Sequence, residues 1–283
     1  MLGIKIFDND SESNLNKIFN LALKENLAIE IALYNHNQDS FIKMVENNAS
    51  YNKIKQKSIH LDYRKYLVNN LSEQKYYNAF EEELMIAKKL NLSQGVIHYQ
   101  TPKNYQIHLE QFKKENIIKN LTILHQKAKK ENFTFYIENT FIYKHDHPIN
   151  NLISHRILWD TILELNYQDY LGICLDWGHV KAFTEDSLSD WLDFVRFLKS
   201  RGTPVYMHIH DNNSQKDQHL SLKQSVELNL SQYNHQSDQN FIDMLCDIET
   251  EFKNDILILE YSSEIAIEHY LWTKQYLEDL ANV

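Results

Sequence analysis

Residues 171–211 read LGICLDWGHVKAFTEDSLSDWLDFVRFLKSRGTPVYMHIHD. The first seven residues, LGICLDW, and the last seven, VYMHIHD (205–211), are strand-like runs with apolar residues on both faces. That is the pattern of a parallel strand covered by helices. Between them WLDFVRFLKS (191–200) carries an apolar stripe at i, i+3, i+4. The interval is long enough for a crossover helix, so the unit reads as strand, helix, parallel strand.

The same unit recurs outward in both directions. LGIKIF (2–7), AIEIAL (28–33), SIHLDY (58–63), GVIHY (95–99), FTFYIEN (133–139) and DILILEY (255–261) complete a set of eight strands at intervals of roughly 26 to 50 residues. Helical periodicity is clear at YYNAFEEELMIAKKL (76–90), IIKNLTILHQKAKKE (117–131) and FIDMLCDIETEF (241–252). Eight βα pairs predict an α/β fold, a single-domain (β/α)8 TIM barrel over residues 1–283; such a barrel typically takes about 250 residues. With only five Gly and three Pro in the sequence, no linker-like stretch divides the chain. The segment from about 211 to 237 is the longest polar interval and reads as a functional loop. EIAIEHYLWTKQYLEDL (264–280) reads as the last barrel helix, with a homodimer face as the alternative.

Composition narrows the function. An apolar fraction of 43% with 24% charged residues is that of a globular protein, and no apolar run approaches the ~20 residues of a membrane span. MLGIKIFDNDSES at the N-terminus lacks the basic flank and apolar stretch of a secretory signal, which points to the cytoplasm. A net charge of −10 argues against a broad nucleic-acid-coating surface without excluding a local basic cleft. Cys174 and Cys246 are too few for a disulfide framework, and Cys174 reads as a buried thiol.

A barrel keeps its chemistry at the C-terminal ends of its strands. Six of the eight strands end there in candidate ligands: His60, His98, Glu138, Asp176 with His179, His208 with His210, and Glu260. Asp217 and His219 follow in KDQHL on the long loop. The other eight of the 14 His fall on helices and loops and are assigned to surface or packing. Carboxylates buried together without partners are costly. Few Lys or Arg lie nearby in sequence, so a shared cation is the economical explanation; imidazole plus carboxylate suits zinc, manganese or iron. Strand alternation puts His208 and His210 on one face.

These residues resemble the superfamily that joins xylose-isomerase-like sugar isomerases and epimerases to endonuclease IV, over roughly residues 58–262. The resemblance implies a one-metal site of Glu138, Asp176, His208 and Glu260, in which the two glutamates are the acid and base of proton transfer on a sugar carbon. It also matches all nine ligands of the trinuclear endonuclease, namely His60, His98, Glu138, Asp176, His179, His208, Asp217, His219 and Glu260, with Tyr63 in its H-x-x-Y. One to three divalent ions, Mn or Zn, are thereby implied. Tyr-Gln follows His98 where the nuclease has Pro-Gly, and LSLKQS (220–225) replaces its Gly-rich turn. HIHDN looks more like the sugar phosphate isomerases than the nuclease's H-x-N-D.

The expectation is therefore an isomerase, epimerase or related lyase on a small carbohydrate-like molecule, with Glu138, Glu260 and His179 catalytic. The alternative is a multinuclear zinc phosphodiesterase, since His60, His98, Asp217 and His219 are needed only there. Tyr63, His210 and Trp177 are expected against the substrate. Tyr99, Phe183 and Tyr261 are open between sugar stacking and barrel-rim packing.

Overall fold

A computed structural model describes residues 1–34, 38–62, 64–65, 68–99, 113–139, 152–181, 187–212, 218–228, 245 and 248–281. All eight expected strands form: β1 (Leu2–Phe7), β2 (Ala28–Ala32), β3 (Lys57–His60), β4 (Gln94–His98), β5 (Thr134–Glu138), β6 (Leu171–Asp176), β7 (Val205–Ile209) and β8 (Ile256–Leu259). They pair in parallel in chain order, and β8 closes on β1 through Leu2 opposite Leu257 and Ile4 opposite Leu259. This is the (β/α)8 barrel.

In two of the strands that end short of the expected bounds, a polar side chain captures the turn. In β3 the pairing stops at His60 because Asp62 Oδ1 accepts the Arg64 backbone N–H at 3.1 Å. In β6 the Asp176 Oδ1 accepts the backbone N–H of His179 at 2.7 Å, so the chain turns straight into a helix and Trp177 is its first residue rather than a strand residue.

The helices, in chain order, are α1 (Glu12–Glu25), α2 (Gln38–Glu46), α3 (Gln74–Lys89), α4 (Lys114–Glu131), α5 (Leu152–Glu164), α6 (Trp177–Lys181), α7 (Leu188–Ser200), α8 (Leu222–Glu227) and α9 (Ser263–Ala281). Ser11 caps α1, and Ser187 with Asp190 forms a capping box on α7. Asn26 and Asn132 end α1 and α4 in the left-handed conformation at φ 53° and 50°, and Asn91 and Asn166 adopt it at 55° and 56° just beyond α3 and α5. Asparagine is the side chain best suited to that region after glycine, which is how these helices end without one. Of the helix expected at 241–252, residues 245 and 248–251 are helical, while 241–244 and 246–247 lie outside the described residues.

Two buried clusters build the core. One fills the space between strands and helices and includes Phe19, Trp159, Trp177 and Trp191. The other, Ala28, Val96, Tyr136, Cys174, Tyr206, Ile256 and Ile258, fills the inside of the barrel. Each of β5 to β8 places a further residue two positions on from a member of this inner cluster: Glu138 after Tyr136, Asp176 after Cys174, His208 after Tyr206 and Glu260 after Ile258. A period of two keeps each pair on one face, so the polar groups stand directly above an apolar floor. No helix of the described residues is long and apolar enough to cross a membrane.

Candidate metal centre

Glu138, Asp176, His208 and Glu260 converge with one ligand atom each lying within 4.8 Å of the others, all four buried. His208 is the hub: its Nδ1 lies 2.9 Å from Glu260 Oε2, 3.2 Å from Glu138 Oε1 and 3.6 Å from Asp176 Oδ2. Its Nε2 faces away, 3.0 Å from Glu30 Oε2. Glu260 Oε2 is buried and makes no well-formed hydrogen bond despite its closeness to Nδ1. Two atoms that approach without bonding, beside two further carboxylates, fit ligands that share a cation.

A second grouping shares Glu138. His98 Nε2 lies 2.7 Å and His60 Nε2 3.2 Å from Glu138 Oε2, and the two imidazole nitrogens are 3.3 Å apart. The other face of His60 is held by the Tyr34 hydroxyl at 3.0 Å, which turns Nε2 inward. A third grouping comprises Asp176, His179 and His210. His179 Nδ1 donates to the Asn139 carbonyl at 2.8 Å, leaving Nε2 as the acceptor atom, the arrangement usual for a metal-binding or proton-handling histidine.

Burial alone would push the carboxyls up; here the surrounding cations outweigh it. Glu138 is held well below the ordinary range by His98 and His208, and Glu260 by His208 and Lys5. Burial lowers His208, but Cys174 and the carboxylates of Glu260, Glu30 and Glu138 outweigh it and raise it well above its usual value. Burial, with Lys5 adding to it, pushes His60 down. The cluster thus calls for positive charge at Nδ1 of His208, where a proton or a divalent ion can supply it.

The cavity above the centre measures about 220 Å³ and is lined by Phe7, Tyr34, His60, Arg64, His98, Glu138, His179, His219 and Glu260. His219, 36% exposed in its side chain, reaches 3.7 Å from Glu260 Oε1. Two residues expected against the substrate stand elsewhere. His210 is fully buried behind Asp176, 2.9 Å from its Oδ1, and stacks on His219 at 4.2 Å between centroids. Trp177 is fully buried in the outer core, because the β6 turn carries it into a helix. Tyr99 and Tyr261 are buried likewise, as packing. Tyr63, Asp217 and Phe183 lie outside the described residues, as do His36, His108, His145, His147 and His235. His155 and His269 are buried and His125 stacks on Tyr167, all away from the cavity.

Lys5 and Glu30 were not expected here: few Lys or Arg lie nearby in sequence, and it is the fold that brings a basic residue in. Lys5 is 255 residues from Glu260 in sequence, yet closure of β1 on β8 brings its ammonium against Glu260 Oε1, with Glu30 Oε1 at 3.3 Å. The signal was present in LGIKIF and AIEIAL: one charged residue at an interior position of an otherwise apolar strand. Phe7, Tyr34 and Arg64 were also missed; Arg64 clasps Asp62 through Nε at 2.7 Å and Nη2 at 2.8 Å.

Comparison with solved structures finds the same fold at low identity. A D-tagatose 3-epimerase-like protein is 18% identical over 99% of this chain and 98% of its own, with a TM-score of 0.69. The 3-keto-D-glucoside 4-epimerase of E. coli is 14% identical over 97% and 98%, with a TM-score of 0.61. A Thermus thermophilus protein soaked with zinc chloride is 15% identical over 99% and 98%, with a TM-score of 0.62. No curated protein matches the chain in sequence. The family model described as xylose isomerase-like TIM barrel matches residues 14–269. The chain belongs to the xylose isomerase-like TIM barrel family.

Proposed function

We propose that this protein is a metal-dependent isomerase or epimerase of a small sugar or sugar-phosphate-like substrate. The observation that carries the reading is the convergence of Glu138, Asp176, His208 and Glu260, with both glutamates also lining the cavity. These four residues are the ligands. When bound, a divalent ion polarises a substrate carbonyl and lowers the barrier to loss of the neighbouring proton. Glu138 and Glu260 remove and return that proton, and His179 presents Nε2 to a substrate hydroxyl. Phe7 and Tyr34 supply an apolar wall for the face of a sugar ring. The cavity is below the about 300–1,000 Å³ of drug-sized sites, which suits a small molecule. The sugar epimerases among structures of the same fold accord with it.

The test is exchange. Free and phosphorylated ketoses and aldoses are incubated with the Mn2+-loaded protein in D2O and followed by proton NMR. Deuterium entering at the carbon beside the carbonyl is the expected result, and none with any member of the panel counts against the reading.

One observation favours a second reading. His60, His98 and Glu138 make a further ligand set that a one-metal isomerase does not need, and a multinuclear phosphoester hydrolase does. Hydrolysis of bis(p-nitrophenyl) phosphate or of an abasic-site oligonucleotide, without sugar exchange, is the result that selects it.

A further inference from the structure

Beneath the cavity lies a closed ring of buried ionisable groups that the proposed reaction does not use as ligands alone. Lys5 Nζ contacts Glu260 Oε1 and lies 3.3 Å from Glu30 Oε1. Glu30 Oε2 lies 3.0 Å from His208 Nε2 and accepts the Tyr206 hydroxyl at 2.7 Å. His208 Nδ1, 2.9 Å from Glu260 Oε2, completes the circuit from Lys5 through Glu30 and His208 to Glu260. The four side chains come from different strands or strand ends, and none is more than 5% exposed.

We infer that Lys5 and Glu30 are positioning residues of the metal centre: Glu30 fixes which nitrogen of His208 faces the ion, and Lys5 fixes which oxygen of Glu260 does. The inference rests on the metal-centre reading above. An ionised carboxylate only accepts hydrogen bonds, so Glu30 holds the proton of His208 on Nε2. With Nε2 so engaged, Nδ1 is the atom that would turn its lone pair to an ion held among Glu138, Asp176 and Glu260, in place of a proton shared with those carboxylates. Lys5 takes up Glu260 Oε1, and the oxygen left over, Oε2, is the buried atom that makes no well-formed hydrogen bond. His208 and Glu260 are thus each directed to present one ligand atom upward.

The cost of the pair supports a role. A buried ammonium and carboxylate could be replaced by apolar groups of like size with little loss or even a gain in stability, so stability alone gives no reason to keep them. Outer partners of metal ligands do give one, since removing them typically weakens metal binding by about 10–100-fold.

The experiment uses Mn2+ alone as the probe, titrated by electron paramagnetic resonance, with the visible spectrum of bound Co2+ reporting coordination. The double variant Lys5→Met/Glu30→Gln removes both charges together and leaves neither unpaired. Tyr206→Phe removes the hydroxyl's hydrogen bonds to Glu30 and Ser58 and keeps both charges. The double variant is expected to keep its circular dichroism, bind Mn2+ about 10–100-fold more weakly and change the Co2+ spectrum. Tyr206→Phe is expected to weaken Mn2+ binding to a smaller extent, and it decides the matter should the double variant not fold. Wild-type Mn2+ affinity and Co2+ spectrum in the folded variants, even with a lowered Tm, would make the ring a packing feature and overturn the inference. A wild type that binds no Mn2+ overturns the metal-centre reading itself, and the ring with it.

Discussion

Glu138 Oε2 lies 2.7 Å from His98 Nε2, while its other oxygen faces His208 Nδ1 at 3.2 Å. One carboxylate therefore belongs to two ligand groups. If only the His208 side is used, the site is that of a one-metal isomerase; if both are, Glu138 bridges two ions. The consequences below turn on that division.

Glu138→Gln and Glu260→Gln keep the size of each side chain but remove its charge and its basicity. Sugar exchange is expected to fall by about 10²–10⁴-fold in either variant, with the circular dichroism unchanged. Retained turnover in one of them removes that glutamate from the mechanism.

His98→Ala and His219→Ala separate the two readings. His98 belongs to the second grouping and His219 reaches the centre at 3.7 Å, so neither is needed to hold a single ion on the four-residue site. Exchange activity within a few-fold of wild type is expected of an isomerase. Loss as complete as in Glu138→Gln, with a lowered metal count, favours the multi-ion hydrolase.

Gly178 packs under His210: a Cβ added there would meet the ring at 1.8 to 2.4 Å. Gly178→Ala therefore must push His210 off Asp176 or move the β6 turn. A loss of about 1–3 kcal/mol is expected, seen as a lowered Tm together with weaker Mn2+ binding. Unchanged values of both mean that His210 does not hold Asp176 in place.

Acid should destabilise the metal-free protein. Burial pushes Glu30 up, but His208 and Lys5 outweigh it and hold it at about 2, against about 4.5 in an ordinary setting. Glu138 and Glu260 are lowered in the same sense. A carboxyl whose folded value lies below its unfolded one stabilises above the unfolded value and loses that contribution as pH falls through the folded one. Tm of the metal-free protein is expected to drop between about pH 4.5 and about pH 2, the window set by Glu30. His208, raised in the folded state, acts oppositely: its contribution is present below about 6.5 and fades as pH rises through its folded value. A Tm flat across the acid window contradicts the charge assignment.

Much of this was legible in the order of the residues. Strands buried on both faces leave continuous apolar runs, and a ligand at a run's end is visible as a break, which is how Glu138, Asp176, His208 and Glu260 stand out in the sequence. Lys5 and Glu30 do not, because they interrupt strands in mid-run and meet their partners only when the barrel closes. Trp177 lies in the outer core for a local reason: Asp176 caps the next helix, so alternation stops one residue earlier than the apolar run suggests. Local capping and long-range closure are both invisible to periodicity.

The central claim is that Glu138, Asp176, His208 and Glu260 hold a divalent ion. Elemental analysis of protein purified without chelators or a metal-affinity column tests it most directly, with Asp176→Asn/Glu260→Gln measured beside the wild type. At least one manganese or zinc ion per chain in the wild type, lost in the folded double variant, is the expected result. A wild type that carries no divalent ion and takes none up on addition of Mn2+ or Zn2+, or a variant that retains the full wild-type content, contradicts it.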